Sequence, residues 1–101
     1  MIAQLRTYTL NKGMVESWLE LFEEKIVPLL KDHGIGIHSA WLNEERTKFI
    51  WIRTFEDQAD LERKEAAMYG SEWWTKNVDH VRSHFAHRDI KVITPFLPGG
   101  A

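Results

Sequence analysis

Cysteine is absent from the sequence. That excludes disulfides, thiolate metal sites and cysteine nucleophiles. Proline and glycine are sparse, at three and six residues, so there is no linker or low-complexity stretch rich in either. No apolar run reaches the ~18 residues that a membrane-spanning helix needs. Basic runs are missing too. Thirteen Lys and Arg stand against fifteen Asp and Glu, for a formal charge of −2, a balance that gives no reason to expect nucleic acid. The opening Met1-Ile2-Ala3-Gln4-Leu5-Arg6 has the character of a strand, not of a secretory or organelle leader. The expectation is a cytoplasmic protein in reducing surroundings, with neither membrane nor nucleic acid as partner.

What the chain does have is apolar and aromatic surface. Hydrophobic residues make up 44% of its 101 positions, enough for one domain to bury a core unaided. We expect that domain over residues 1–98, with 99–101 (Gly99-Gly100-Ala101) as a flexible tail.

Residues 2–10 are rich in β-formers and end at Asn11-Lys12-Gly13, which marks a first strand. From Met14 the period changes, with Val15, Trp18, Leu19, Phe22, Ile26, Leu29 and Leu30 at helical spacing and Gly34 as the stop. Pro28 interrupts that helix and should kink it. Residues 35–42 and 48–55 read as a hairpin around the polar turn Asn43–Thr47. Asp57 and Ser71 cap two further helical stretches. The first of these carries Leu61, Glu65 and Met68, and the second carries Trp74, Val78, Val81 and Phe85. A last strand is expected over 87–96, ended by Pro95 and Pro98.

The order β-α-β-β-α-β predicts an α+β, ferredoxin-like sandwich. A right-handed crossover from strand one leaves room for strand three between strands one and two in a four-stranded antiparallel sheet. Helices can cover only one face of such a sheet. Yet strand three is apolar on both, with Phe49, Trp51 and Phe55 on one side and Ile50 and Ile52 on the other. Strand two, on strict alternation, sets Ile37 and Trp41 against Ala40 and Leu42. Large exposed apolar patches are uncommon, so a second copy of the chain is expected over the open face, forming a dimeric α/β barrel.

Several spaced segments resemble the NIPSNAP family. They are Leu5-Arg6-Thr7-Tyr8-Thr9-Leu10 with Gly13, Pro28-Leu29-Leu30-Lys31-Asp32-His33-Gly34, the strand from Phe49 to Asp57, and Met68-Tyr69-Gly70-Ser71-Glu72-Trp73. The resemblance implies the dimeric α/β-barrel superfamily, which also holds cofactor-free monooxygenases, stress-induced barrel proteins and haem-handling enzymes. It implies no settled reaction and no catalytic residues.

The first chemical candidate is the set Arg6, Tyr8, Trp51 and Arg53. Arg6 and Tyr8 share one face of strand one; Trp51 and Arg53 share one face of strand three. If those faces coincide, two guanidiniums meet over an aromatic wall. Such like charges need an anion between them, either a carboxylate of the protein or one brought by a ligand. The second candidate is His80 with His84, one helical turn apart, and His87 beyond. A pair under-fills a tetrahedral site, so no metal and no cofactor are expected. The third is His38 on strand two, a possible base in a pocket between sheet and helices. The leading functional expectation is a homodimer that binds a small, partly apolar, acidic metabolite. A cofactor-independent monooxygenase or isomerase and a purely structural dimerisation module are the alternatives.

Overall fold

The computed structural model describes residues 1–97. The tail expected at 99–101, and Pro98 before it, lie outside the described residues. The elements run β1 (Ile2–Leu10), α1 (Val15–Leu21), a π-helical turn (Phe22–Ile26), α2 (Val27–Asp32), β2 (Gly36–Leu42), β3 (Lys48–Phe55), α3 (Gln58–Tyr69), α4 (Glu72–Arg82) and β4 (Phe85–Ile93). All strand pairs are antiparallel and their order is β2-β3-β1-β4. This is the ferredoxin-like sandwich, with β3 inserted between β2 and β1. The last strand spans 85–93 and not 87–96, so Pro95 lies beyond it instead of ending it.

The first helical run corrects a sequence expectation. Pro28 has no N–H to offer the Glu24 carbonyl, and its ring crowds that group. A widened turn meets this in place of a simple kink: the Val27 N–H donates to the Phe22 carbonyl, five residues back. Phe22 and Ile26, at either end of the turn, are both buried. The run ends at Gly34, where φ is +70°. There the Gly34 amide donates to the Lys31 carbonyl at 3.0 Å and the Ile35 amide to the Leu30 carbonyl at 2.9 Å. That paired closure needs a left-handed residue, which glycine supplies at least cost.

The two capping residues act as their types suggest. Asp57 accepts from the Asp60 amide at 2.8 Å, and Ser71 from the Trp74 amide at 3.4 Å. Asp60 is itself buried and joins β3 to α3. It accepts from the Glu56 amide at 3.0 Å and pairs with Arg63 and Lys64 at 2.7 and 3.0 Å. The Glu56 amide, with Lys64 and Arg63 beside it, holds the Asp60 carboxyl below the usual aspartate value against the opposing effect of desolvation.

Register decides which residues lie under the helices. β1 pairs Gln4 with Arg53, Arg6 with Trp51 and Tyr8 with Phe49. Directly paired residues share a face, so these six lie together beneath the helices and all are buried. Leu5, Thr7, Ile50 and Ile52 point the other way. A register shift between Ile37 and Ser39 breaks the alternation of β2. Ile37, Ala40 and Leu42 oppose Arg53, Trp51 and Phe49 on the helix side, while Trp41 opposes Ile50 on the open side. The expected grouping of Ile37 with Trp41 is therefore wrong, because a bulge adds one residue and flips the rest of the strand to the other face. Trp41 is left 64% exposed.

The core is aromatic. Trp18, 1% exposed, meets Phe22, Phe49 and Phe85 with ring centroids 5.6, 5.5 and 4.7 Å away. The Phe49 and Phe85 contacts are edge-to-face, an arrangement that adds about 0.5–1.5 kcal/mol per pair beyond area burial. Among the described residues no helix is long and apolar enough to cross a membrane.

Candidate ligand site

The two faces whose coincidence the sequence leaves open do coincide. Arg6 and Arg53 are 2% and 3% exposed and lie under α3. Both donate to the same carboxylate oxygen of Glu65, Arg6 Nη2 at 3.1 Å and Arg53 Nη1 at 2.6 Å. Around this bridge the polar groups interlock. Arg6 Nε donates to Gln4 Oε1 at 2.8 Å, and Gln4 Nε2 donates to Glu65 Oε1 at 3.0 Å. Arg6 also donates to the Tyr8 and Tyr69 hydroxyls at 2.8 and 2.9 Å. Burial works against the Arg6 charge, but the Tyr8, Tyr69 and Glu65 oxygens outweigh it and hold the group above its usual pKa. Trp51 forms the wall, its ring 4.7 Å from Arg53 Cζ and 5.9 Å from Arg6 Cζ.

The count of charges is uneven. Two buried cations share one carboxylate. The count of hydrogen bonds is uneven as well. Among the described residues, the buried side-chain polar atoms without a partner are Trp18 Nε1, Trp51 Nε1 and Arg53 Nε. All three are N–H donors, and all three side chains line one cavity. Buried donors are nearly always satisfied, so these three call for acceptors that the protein's own described atoms do not supply. Its volume is about 20 Å³, room for roughly one water. Arg6, Tyr8 and Phe85 contribute from the sheet, Ile26 from the π turn and Trp74 from α4.

Four of the five residues singled out from sequence, Arg6, Tyr8, Trp51 and Arg53, therefore meet at one place. His38 does not join them. It sits at the β2 bulge, exposed, with Nδ1 3.1 Å from the Ser39 hydroxyl, so its expected place in a pocket between sheet and helices is corrected. The other histidines also separate. His84 is fully buried. Its Nδ1, 3.0 Å from the His80 carbonyl, must donate there, which leaves Nε2 to accept from the Ser17 hydroxyl at 2.9 Å. His87 opposes Thr9 on the open side of the sheet. Among the described residues no three His, Asp or Glu side chains are grouped to hold a metal.

Sequence reasoning missed Gln4, Glu65 and Tyr69 as members of the site. Glu65 carried a usable signal, a carboxylate on the same helical stripe as Leu61 and Met68, which are buried. Gln4 shares its strand face with Arg6 and Tyr8. Tyr69, at the end of α3, gave no signal.

Fold and site together define an α+β ferredoxin-like domain with a buried arginine pair between sheet and helices. The NIPSNAP family model matches residues 3–98, and the chain belongs to that family. No curated protein matches it. Among solved structures, it is similar to a NIPSNAP family protein of unknown function from Agrobacterium tumefaciens strain C58, with 20% identity and a TM-score of 0.87 over 97% of this chain and 92% of that one. A NIPSNAP domain protein from Burkholderia xenovorans has 13% identity and a TM-score of 0.85 over 95% of each chain. An antibiotic biosynthesis monooxygenase shares the fold at 14% identity and a TM-score of 0.71, over 96% of this chain and all of that one.

Proposed function

We propose that this NIPSNAP protein binds a small, partly apolar acid in the space between sheet and helices, with Arg53 and Arg6 as its anchor and Trp51 as its flat wall. One observation carries the reading: the unpartnered buried donors among the described residues all belong to side chains lining the same cavity. A carboxylate supplies acceptors and the missing negative charge at once. The cavity holds about one water, so the lining side chains move apart to admit a larger acid. Binding is favoured over an enzymatic role because the oxygens of Glu65 are already engaged by Arg6, Arg53 and Gln4 and are poorly placed to take a substrate proton.

The reading includes a homodimer. Leu5, Ile50, Ile52, Trp41 and Ile93 lie on the sheet face away from the helices, and a second copy presents a matching apolar surface.

The test is thermal denaturation with benzoate and hexanoate. Two cations share Glu65, so removing one of them strands no charge. In Arg53→Met, Glu65 keeps Arg6. The variant should melt close to the wild type without ligand and lose the stabilisation by these acids. A variant of lowered melting temperature, whose response to the acids matches the wild type's, contradicts the reading.

A further inference from the structure

Arg6 and Arg53 are not the only basic residues that line the cavity among the described residues. Arg82, the last residue of α4, and Arg88, on β4, line it together with Arg6 and Arg53. Arg88 is the direct cross-strand partner of Tyr8, on the helix side of the sheet, and so is a diagonal neighbour of Arg6. Such diagonal positions are about 7–8 Å apart. Both outer arginines are exposed. Among the described residues neither guanidinium donates a hydrogen bond or makes an ion pair, in contrast to Arg6 and Arg53. A chain of net charge −2 thus sets four guanidiniums around one cavity, and Glu65 is the only carboxylate paired with any of them among the described residues.

We propose that the ligand is a diacid: one carboxylate seats on Arg53 and Arg6 inside, an apolar or aromatic middle lies along Trp51 and Phe85, and the second acidic group is held at the mouth by Arg82 and Arg88. This rests on the reading above and names its ligand class. Guanidinium forks suit planar carboxylates, and two such seats a short apolar span apart select for length as well as charge. The mouth seat is solvated and contributes less than the inner one, because exposed charge pairs are screened.

Matched acids test this in calorimetric titrations at fixed ionic strength: hexanoate against adipate, and benzoate against terephthalate. The diacid of at least one pair should bind about tenfold more tightly than its monoacid. Arg82→Gln/Arg88→Gln should erase that advantage, weakening the diacid by about tenfold more than its monoacid. Lys12→Gln/Lys25→Gln, which removes two charges elsewhere on the surface, should keep it. Equal binding of mono- and diacids by the wild type, or a diacid advantage that survives in the Arg82/Arg88 variant, overturns the second seat and leaves the inner one standing. Failure of every acid, mono or di, overturns both. Circular dichroism verifies that the variants are folded, and the exposure of both outer arginines makes misfolding a minor risk.

Discussion

Glu65 holds Arg6 at 3.1 Å and Arg53 at 2.6 Å, so removing it strands both cations under the helices. Breaking a buried pair from one side costs about 3–5 kcal/mol, and each kcal/mol lowers Tm by roughly 4–8 °C in a domain of this size. Glu65→Ala should therefore melt far below the wild type, whereas Arg53→Met should not. The same contact competes with an incoming acid for the guanidiniums. If Glu65→Gln folds, benzoate should raise its Tm by more than it raises that of the wild type, and a smaller rise would count against the anchor. The charge-bearing residues were legible because permanent cations on central strands must find acceptors. Their partner was less so: a single glutamate on a helix stripe is ordinary until the strand register places two arginines under it.

At the scale of elements, the junction of β3 and α3 is held by a charge that depends on pH. The Asp60 carboxyl is depressed by the Glu56 amide, with Lys64 and Arg63 contributing. A carboxyl lowered on folding stabilises above its unfolded value and loses that effect as pH falls through the folded one. Asp60→Asn should thus lower Tm at neutral pH, and the gap to the wild type should narrow as pH drops below about 3.9. A gap independent of pH would mean that the side chain acts only through its shape. Element order, both caps and the β3 insertion follow from periodicity and from Asp57, Ser71 and Gly34. Two features escaped. The bulge after Ile37 is a register event that shows only in the pairing with β3, and it turns Trp41 to the open face. The π turn at 22–26 is one of several ways a helix can accommodate Pro28, and sequence alone does not choose among them.

For the whole molecule, the proposed ligand side of the sheet is the helix side, and the proposed assembly side is the other. A homodimer should sediment at about twice the chain mass at micromolar concentration. Phe49 and Trp51 lie in the core, so the informative variant is Ile52→Asp on the open face. It should sediment as a monomer, since an unpaired charge in an apolar interface costs several kcal/mol. A wild type that is monodisperse and monomeric would contradict the proposed assembly but not the ligand site proposed on the other face. The site itself is most directly tested by the indole N–H signals of the five tryptophans in a ¹⁵N-labelled protein titrated with benzoate. Trp51 and Trp18 carry buried indole donors without acceptors, while Trp41 stands 64% exposed on the opposite face. On binding, the Trp51 and Trp18 signals should shift in the sense of a newly made hydrogen bond, and Trp41 should stay in place. Saturable binding that leaves both signals unmoved, or moves Trp41 alone, would contradict the proposed site.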